Sequence, residues 1–278
     1  MIERARSYVW DTARVLEQRR FEFLFGTGEA APVLAALEPY RTADGGYGYA
    51  LEPDGRGPTS QPPHIWTALE VLEEAGAIDP AICDHIETLA APDGGLPTAT
   101  KSLEPYSRAP WWPIGEQGGL LATALVYAPL AGFDHPWLTR AEAFCWAAIE
   151  AIDQTHPYEV EAAITFLDVV GDRERARREA ARLEGLVRDQ DLIGTQPEGY
   201  SPGEIHHATD FAKRPGSLAR SWFSDDEVEA GLDELTARRR DDGGWDITWA
   251  VWTPAIAIEW SGLMTISALK TLRAYGRV

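Results

Sequence analysis

One short phrase, Asp-Gly-Gly, returns along this chain in step. It stands at Asp44-Gly45-Gly46-Tyr47, at Asp93-Gly94-Gly95-Leu96 and at Asp242-Gly243-Gly244-Trp245. Positions 44, 93 and 242 are 49 and 149 residues apart, one period and nearly three. A fixed period of about 20–50 residues marks a stack of like supersecondary units, each burying its apolar face on the next. A degenerate copy, Asp191-Leu192-Ile193-Gly194, falls in register, while the position near 142 carries no such phrase. Arg41, Arg188 and Arg239 each stand three residues before the aspartate of a copy.

The segments between the turns read as helices. Residues 4–25 carry Val9, Ala13, Leu16 and Phe23 among charges, a helical stripe and not the alternation of a strand. Residues 65–75 end at Gly76, and residues 79–90 open on Asp79-Pro80, a cap followed by proline at the first helical position. Helical patterns continue over 117–131, 137–152, 158–170, 173–188, 225–240 and 253–275. Ser224 with Glu227 three residues on predicts a capping box. The expectation is one all-α domain over residues 1–278. Each period would hold one charged outward helix and one apolar inward helix.

Composition narrows the partners. A hydrophobic share of 45% supports a packed core, and a net charge of −19 opposes binding to nucleic acid or anionic membranes. No apolar run nears the ~20 residues of a spanning helix, and MIERARSYVW has no leader pattern. The expectation is a soluble, cytoplasmic protein with a small-molecule partner, no integral membrane segment and no cofactor. Cys83 and Cys145 match no metal or redox spacing and read as buried thiols.

The phrase Leu235-Thr-Ala-Arg-Arg-Arg-Asp-Asp-Gly-Gly-Trp245, with Asp44-Gly-Gly-Tyr-Gly48 as a further copy, resembles the repeat of the terpenoid cyclase and protein prenyltransferase superfamily. The resemblance implies an α/α toroid of roughly ten to twelve helices around a central cavity. Arg41 and Arg239 replace the family's glutamine, and its acidic Asp-x-Asp-Asp run is missing. Cys83-Asp84-His85 has the letters of the prenyltransferase zinc ligands, but three adjacent helical residues face different ways. The expected metal content is none, so the resemblance reaches the fold and leaves the chemistry open.

Candidate chemistry centres on Glu52-Pro-Asp54-Gly-Arg56. The next clear copy, Leu96-Pro-Thr-Ala-Thr100, lacks these charges, so the repeat as such does not require them. Asp54 and Glu52 are candidate proton-transfer acids, and Arg56 a substrate or carboxylate clamp. Gln61 and His64 open the following helix near its positive end, with His64 a candidate proton shuttle and Trp66 beside it. Trp111, Trp112, Trp249 and Trp252 are candidate cavity walls whose faces attract cationic charge. Glu116, a possible second acid, and Glu259 sit in otherwise apolar stretches and should either pair or face a polar cavity. His206 and Asp210, four apart, would share a helix face, but no second ligand pair accompanies them. Asp225, Asp226 and Glu229 read as first-turn caps.

Three functions follow. The first is a cyclase-like enzyme moving a proton on an apolar, isoprenoid-type molecule. The second is a carbohydrate lyase or hydrolase pairing Asp54 with Glu116. The third is a non-catalytic binding protein on a vestigial cyclase fold.

Overall fold

A computed structural model describes residues 1–278. It is all-helical, with no β-strand and twelve α-helices. These are α1 (Ile2–Thr12), α2 (Val15–Phe25), α3 (Ala30–Leu37), α4 (Pro62–Glu74), α5 (Ile82–Leu89), α6 (Leu120–Tyr127), α7 (Pro136–Glu150), α8 (Pro157–Leu167), α9 (Arg173–Asp189), α10 (Ala208–Phe211), α11 (Asp225–Ala237) and α12 (Pro254–Ala274). Twelve helices without strands are compatible with an α/α toroid. The residues group into two compact units, 37–183 and 1–36 with 184–278.

Within residues 37–183, α6 packs between α4 and α8, while α5 packs on α7 and α7 on α6 and α8. Helices α4, α6 and α8 thus lie side by side, with α7 against α6 and α8 and α5 against α7. The even row is the apolar one: Ile65, Leu69, Val126, Val160 and Phe166 are buried. Phe166 is held by Tyr127 at 5.2 Å and edge-on by Trp146 at 5.1 Å between ring centres. Complete burial of side chains of this size contributes about 1.5–3 kcal/mol each. In the other unit, α12 packs on α1 and α2, and α10 on α11.

Local chemistry sets the helix ends. Pro62, Pro136, Pro157 and Pro254 each occupy the first helical position, where the missing N–H costs nothing. Ser224 and Glu227 form the expected capping box on α11. Asp225 and Asp226 lie in its first turn, as caps should.

The three Asp-Gly-Gly turns have one backbone design. Thr42, Ala91 and Arg240 each donate N–H to the carbonyl of the second glycine and accept from the N–H of the first. The first glycines, Gly45, Gly94 and Gly243, have φ of 97°, 90° and 103°, a region that suits glycine. The aspartate Oδ1 accepts from the second glycine's N–H at 3.3, 2.9 and 3.0 Å. The residue after the turn is then docked on a helix, at its start for Tyr47 and Leu96 and mid-helix in α12 for Trp245. Tyr47 and Leu96 accept through their carbonyls from the N–H of Gln61 and Gly119, and Trp245 from the Ser261 hydroxyl. Thr123 and Thr265, four residues beyond Gly119 and Ser261, accept the N–H of Leu96 and Trp245.

Three expectations change. Residues 4–25 are two helices, because the backbone is extended at Ala13 and Arg14. There the Gln18 amide donates to the carbonyls of Trp10 and Ala13, replacing helix bonds. Helix α3 had no counterpart in the pattern reading. Asp191 is not a fourth copy of the turn. With φ of 51°, it closes α9, and Leu192 N–H returns to Val187 O as in a glycine-type helix stop.

Candidate functional site

The loop after the first turn is built from two tight turns. Gly48 carbonyl accepts from Leu51 N–H, and the central residues Tyr49 and Ala50 both have positive φ, 56° and 59°. That is the signature of a type I′ turn, normally made with asparagine and glycine. A left-handed non-glycine residue costs about 1–2 kcal/mol, and two in succession commonly mark a functional segment. The close approach at Gly48 leaves little alternative: a Cβ there would lie 2.8 Å from Thr42 Cγ2 and 2.9 Å from Thr59 O. Pro53 and Asp54 then turn the chain again, with Gly55 N–H reaching Glu52 O at 3.4 Å.

This second turn takes both carboxyls out of water. Glu52 and Asp54 are each 3% exposed, and His64, at the start of α4, is fully buried. Glu52 Oε2 accepts from Asp54 N–H at 2.7 Å. Glu52 N–H donates to His64 Nδ1 at 3.1 Å. Since Nδ1 accepts, the imidazole is neutral with its hydrogen on Nε2. The segment 106–112 closes over the loop. Ala109 N–H bonds Asp54 O at 2.8 Å, and Arg56 N–H bonds Ser107 O at 3.0 Å. Trp111 Nε1 donates to Asp54 Oδ2 at 3.2 Å. Trp112 lies 6.0 Å from the His64 ring, and a Cβ on Gly55 would come within 2.5 Å of it.

Loop, imidazole and both tryptophans therefore form one cluster. Trp112 is buried, while Trp111 is 41% exposed over Asp54. Tyr49 and Tyr106 are exposed on the same two segments, Tyr49 bonding Gly57 O and Tyr106 packing on Gly57. These two tyrosines escaped the sequence reading. The signal was there: an aromatic in a glycine-rich turn at a position that prefers asparagine.

Several expected roles are corrected by geometry. Gln61 is saturated within the chain, donating to Ser102 and Thr59 hydroxyls and accepting from Thr100 N–H at 2.8 Å, so it staples loops and does not bind an anion. Glu116 is 72% exposed and pairs with Lys101, which holds its carboxyl below the usual range. It is not an inward acid. His64 Nδ1 is committed to Glu52 N–H, so that nitrogen is no proton shuttle. His206 and Asp210 share no helix face: His206 precedes α10, and Asp210 accepts from His207 N–H in a capping box. Arg56 and Trp66 are half-buried. Trp249, Trp252 and Glu259 are half-buried in the other unit, where Trp249 meets Trp260 edge-on at 5.0 Å.

Two further features were missed. Glu17 is buried, gripped by Arg14 through Nε and Nη2 at 2.9 and 2.8 Å, and Arg20 is buried one turn on. A groove of about 750 Å³ runs along α7, lined by Tyr127, Phe133, Glu142, Trp146, Glu150 and Arg175 among others. None of the expected site residues lines it.

No protein-family model matches the chain, and no curated protein matches it. No helix is long and apolar enough to cross a membrane.

Proposed function

We propose that the chain is a divergent terpenoid-cyclase-like enzyme, an α/α toroid that moves a proton on an apolar, isoprenoid-type molecule in a cytoplasmic setting. Asp54 is the reacting carboxyl. The observation that carries this reading is the burial of Asp54 on a turn with two left-handed residues, directly under the edge of Trp111. The indole N–H is bonded to Oδ2, and in its neutral form the carboxyl is the proton donor. Transfer of that proton to a carbon–carbon double bond leaves carboxylate and a carbocation, and later loss of a proton from carbon ends the sequence. The faces of Trp111 and Trp112 stabilise the cation by about 0.5–2 kcal/mol each. Glu52 and neutral His64 act as positioning residues, holding Asp54 from behind.

The carbohydrate reading is favoured by one observation, the exposed ring of Trp111 at the carboxyl, with Tyr49 and Tyr106 exposed on the same two segments. Its proposed partner acid, Glu116, is instead tied to Lys101 at the surface. Native mass spectrometry of protein purified from its own host separates the two. An apolar hydrocarbon or prenol retained on the protein, and lost on Trp111→Ala, supports the first reading. A retained glycan, or an apolar ligand unaffected by Trp111→Ala, counts against it.

A further inference from the structure

Each Asp-Gly-Gly turn is covered by a ring from a neighbouring helix. A Cβ on Gly95 would lie 2.7 Å from Phe144 Cζ of α7, and one on Gly244 would lie 2.5 Å from Tyr8 Cε1 of α1. The first turn has the same cover from α5, but its ring is an imidazole: a Cβ on Gly46 would strike His85 Nε2 and Cδ2. One of three otherwise matching contacts is therefore made by the side chain type whose ordinary charge change falls between about pH 5 and 8.

The imidazole sits against a polar cluster that ties a loop. Asp44 Oδ1 accepts from the Thr42 hydroxyl, from Ser60 Oγ at 2.5 Å and from Gly46 N–H at 3.3 Å. Thr42 precedes the loop that carries Glu52 and Asp54, and Ser60 follows it, so one carboxylate oxygen holds both ends. The two hydroxyls also meet each other at 2.6 Å. His85 Nε2 is buried with no hydrogen-bond partner, 4.0 Å from Asp44 Oδ1. A shift of about 1 Å brings it within bonding distance. The other charged and titratable groups on the surrounding elements are engaged elsewhere. Arg41, ahead of the turn, pairs with Glu38 and lies over the Tyr47 ring, and His64 of α4 accepts from Glu52 N–H. On the α7 side, Arg140 pairs with Glu87 of α5, and His135 with Asp84.

We propose that His85 is a pH-sensitive clasp on this loop: protonated, it donates from Nε2 to the Asp44 carboxylate and fastens the base of the loop, and neutral, it only covers Gly46. A hydrogen bond between ionised partners is shorter and roughly twice as strong as a neutral one. Only the protonated ring makes the ion pair, so the added order is present at low pH and is lost as pH rises through the histidine range. The clasp concerns the order of the loop and is independent of the reaction proposed for Asp54.

Amide hydrogen exchange over residues 47–55 of the full chain, at about pH 5.5 and about pH 8, tests this on either side of the histidine range. His85→Phe copies the ring of the second turn, and His85→Gln keeps a polar side chain without a titrating charge. Comparing each variant with the wild-type chain at the same pH removes the intrinsic pH dependence of exchange. Both variants should exchange faster than wild type, by a factor about fivefold larger at the lower pH than at the higher. In an Asp44→Asn background the same two substitutions should give factors that do not change with pH. Residues 96–100, after the second turn, should respond to neither. Factors that are equal at the two pH values, factors larger at the higher pH, or a pH dependence that survives in Asp44→Asn would each overturn the proposal.

Discussion

The Asp44 and Asp93 turns share a backbone and part company immediately afterwards. Both turns close through the same pair of main-chain bonds, and both present the next residue to the start of an apolar helix. After Asp93 the chain runs Leu96-Pro97-Thr98-Ala99, pairs by isolated bridges with Gly119 and Ile114, and places no charge inside. After Asp44 it passes through two left-handed residues and buries Glu52 and Asp54. The scaffold needs neither the strain nor the buried acids, as the second copy demonstrates. Burying carboxyls opposes folding, and the proposed role of Asp54 rests on this contrast.

The largest way to break this comparison is at Gly55. A methyl there would meet Trp112 at 2.5 Å and His64 Nε2 at 3.2 Å, displacing the groups that hold Asp54. Gly55→Ala should lower turnover by about 10²-fold, as misplacement by an ångström does, with a smaller loss of thermal stability. Parallel kinetics and calorimetry measure both.

The turns themselves can be separated next. Gly45 and Gly94 have matching φ, but a Cβ on Gly45 meets nothing within 4 Å, whereas on Gly94 it would lie 3.0 Å from the Arg140 backbone. Gly45→Ala should cost about 1–2 kcal/mol, the left-handed penalty alone. Gly94→Ala should cost distinctly more in the same urea titration. Equal costs would mean that α7 yields freely at Arg140.

A subtler difference lies one helix turn further on. Thr123 accepts Leu96 N–H through its hydroxyl, while the first copy has Ile65 at the matching place. Thr123→Val leaves that buried N–H without its partner and should cost about 1–3 kcal/mol. Ile65→Ser, by contrast, should lose packing and gain no compensating bond.

The smallest effect concerns acid. Partial burial pushes the Asp44 carboxyl up, but bonds from Ser60, Thr42 and Gly46 outweigh it and hold it below 3.8. In Asp242 the Arg240 bond leads, and partial burial opposes it, with the same net direction. A depressed folded pKa gives stability that is present above the unfolded value and lost as pH falls through the folded one. Both turns should therefore weaken below about pH 4. Salt should screen the Asp242 contribution more than that of Asp44, where the Ser60 and Thr42 hydroxyls lead and the charge of His85 is the least of the causes. Melting curves of Asp44→Asn and Asp242→Asn at two salt concentrations show the difference.

Most helices were legible because periodicity and proline caps agree, as in α7, α8 and α12. The break at Ala13-Arg14 was not, since it has neither glycine nor proline and depends on Gln18 folding back. Glu17 and Arg20 did not stand out because charge at helical spacing usually faces solvent; their burial, with Glu17 gripped by Arg14, appears only in three dimensions. Glu116 misled for the opposite reason: its apolar neighbours suggested an interior, whereas Lys101, distant in sequence, draws it to the surface. The loop from Glu52 to Arg56 was legible through contrast between copies. Its closure by Trp111 was not, because it joins residues 57 positions apart.

The central claim is that Asp54 donates the proton, and turnover in deuterium oxide tests it most directly. With linear polyprenes as substrates, the account predicts a rearranged product carrying one deuterium on carbon. Asp54→Asn should cut its formation by about 10²–10⁴-fold while the melting temperature is maintained. Unchanged deuterated product from Asp54→Asn would contradict the account.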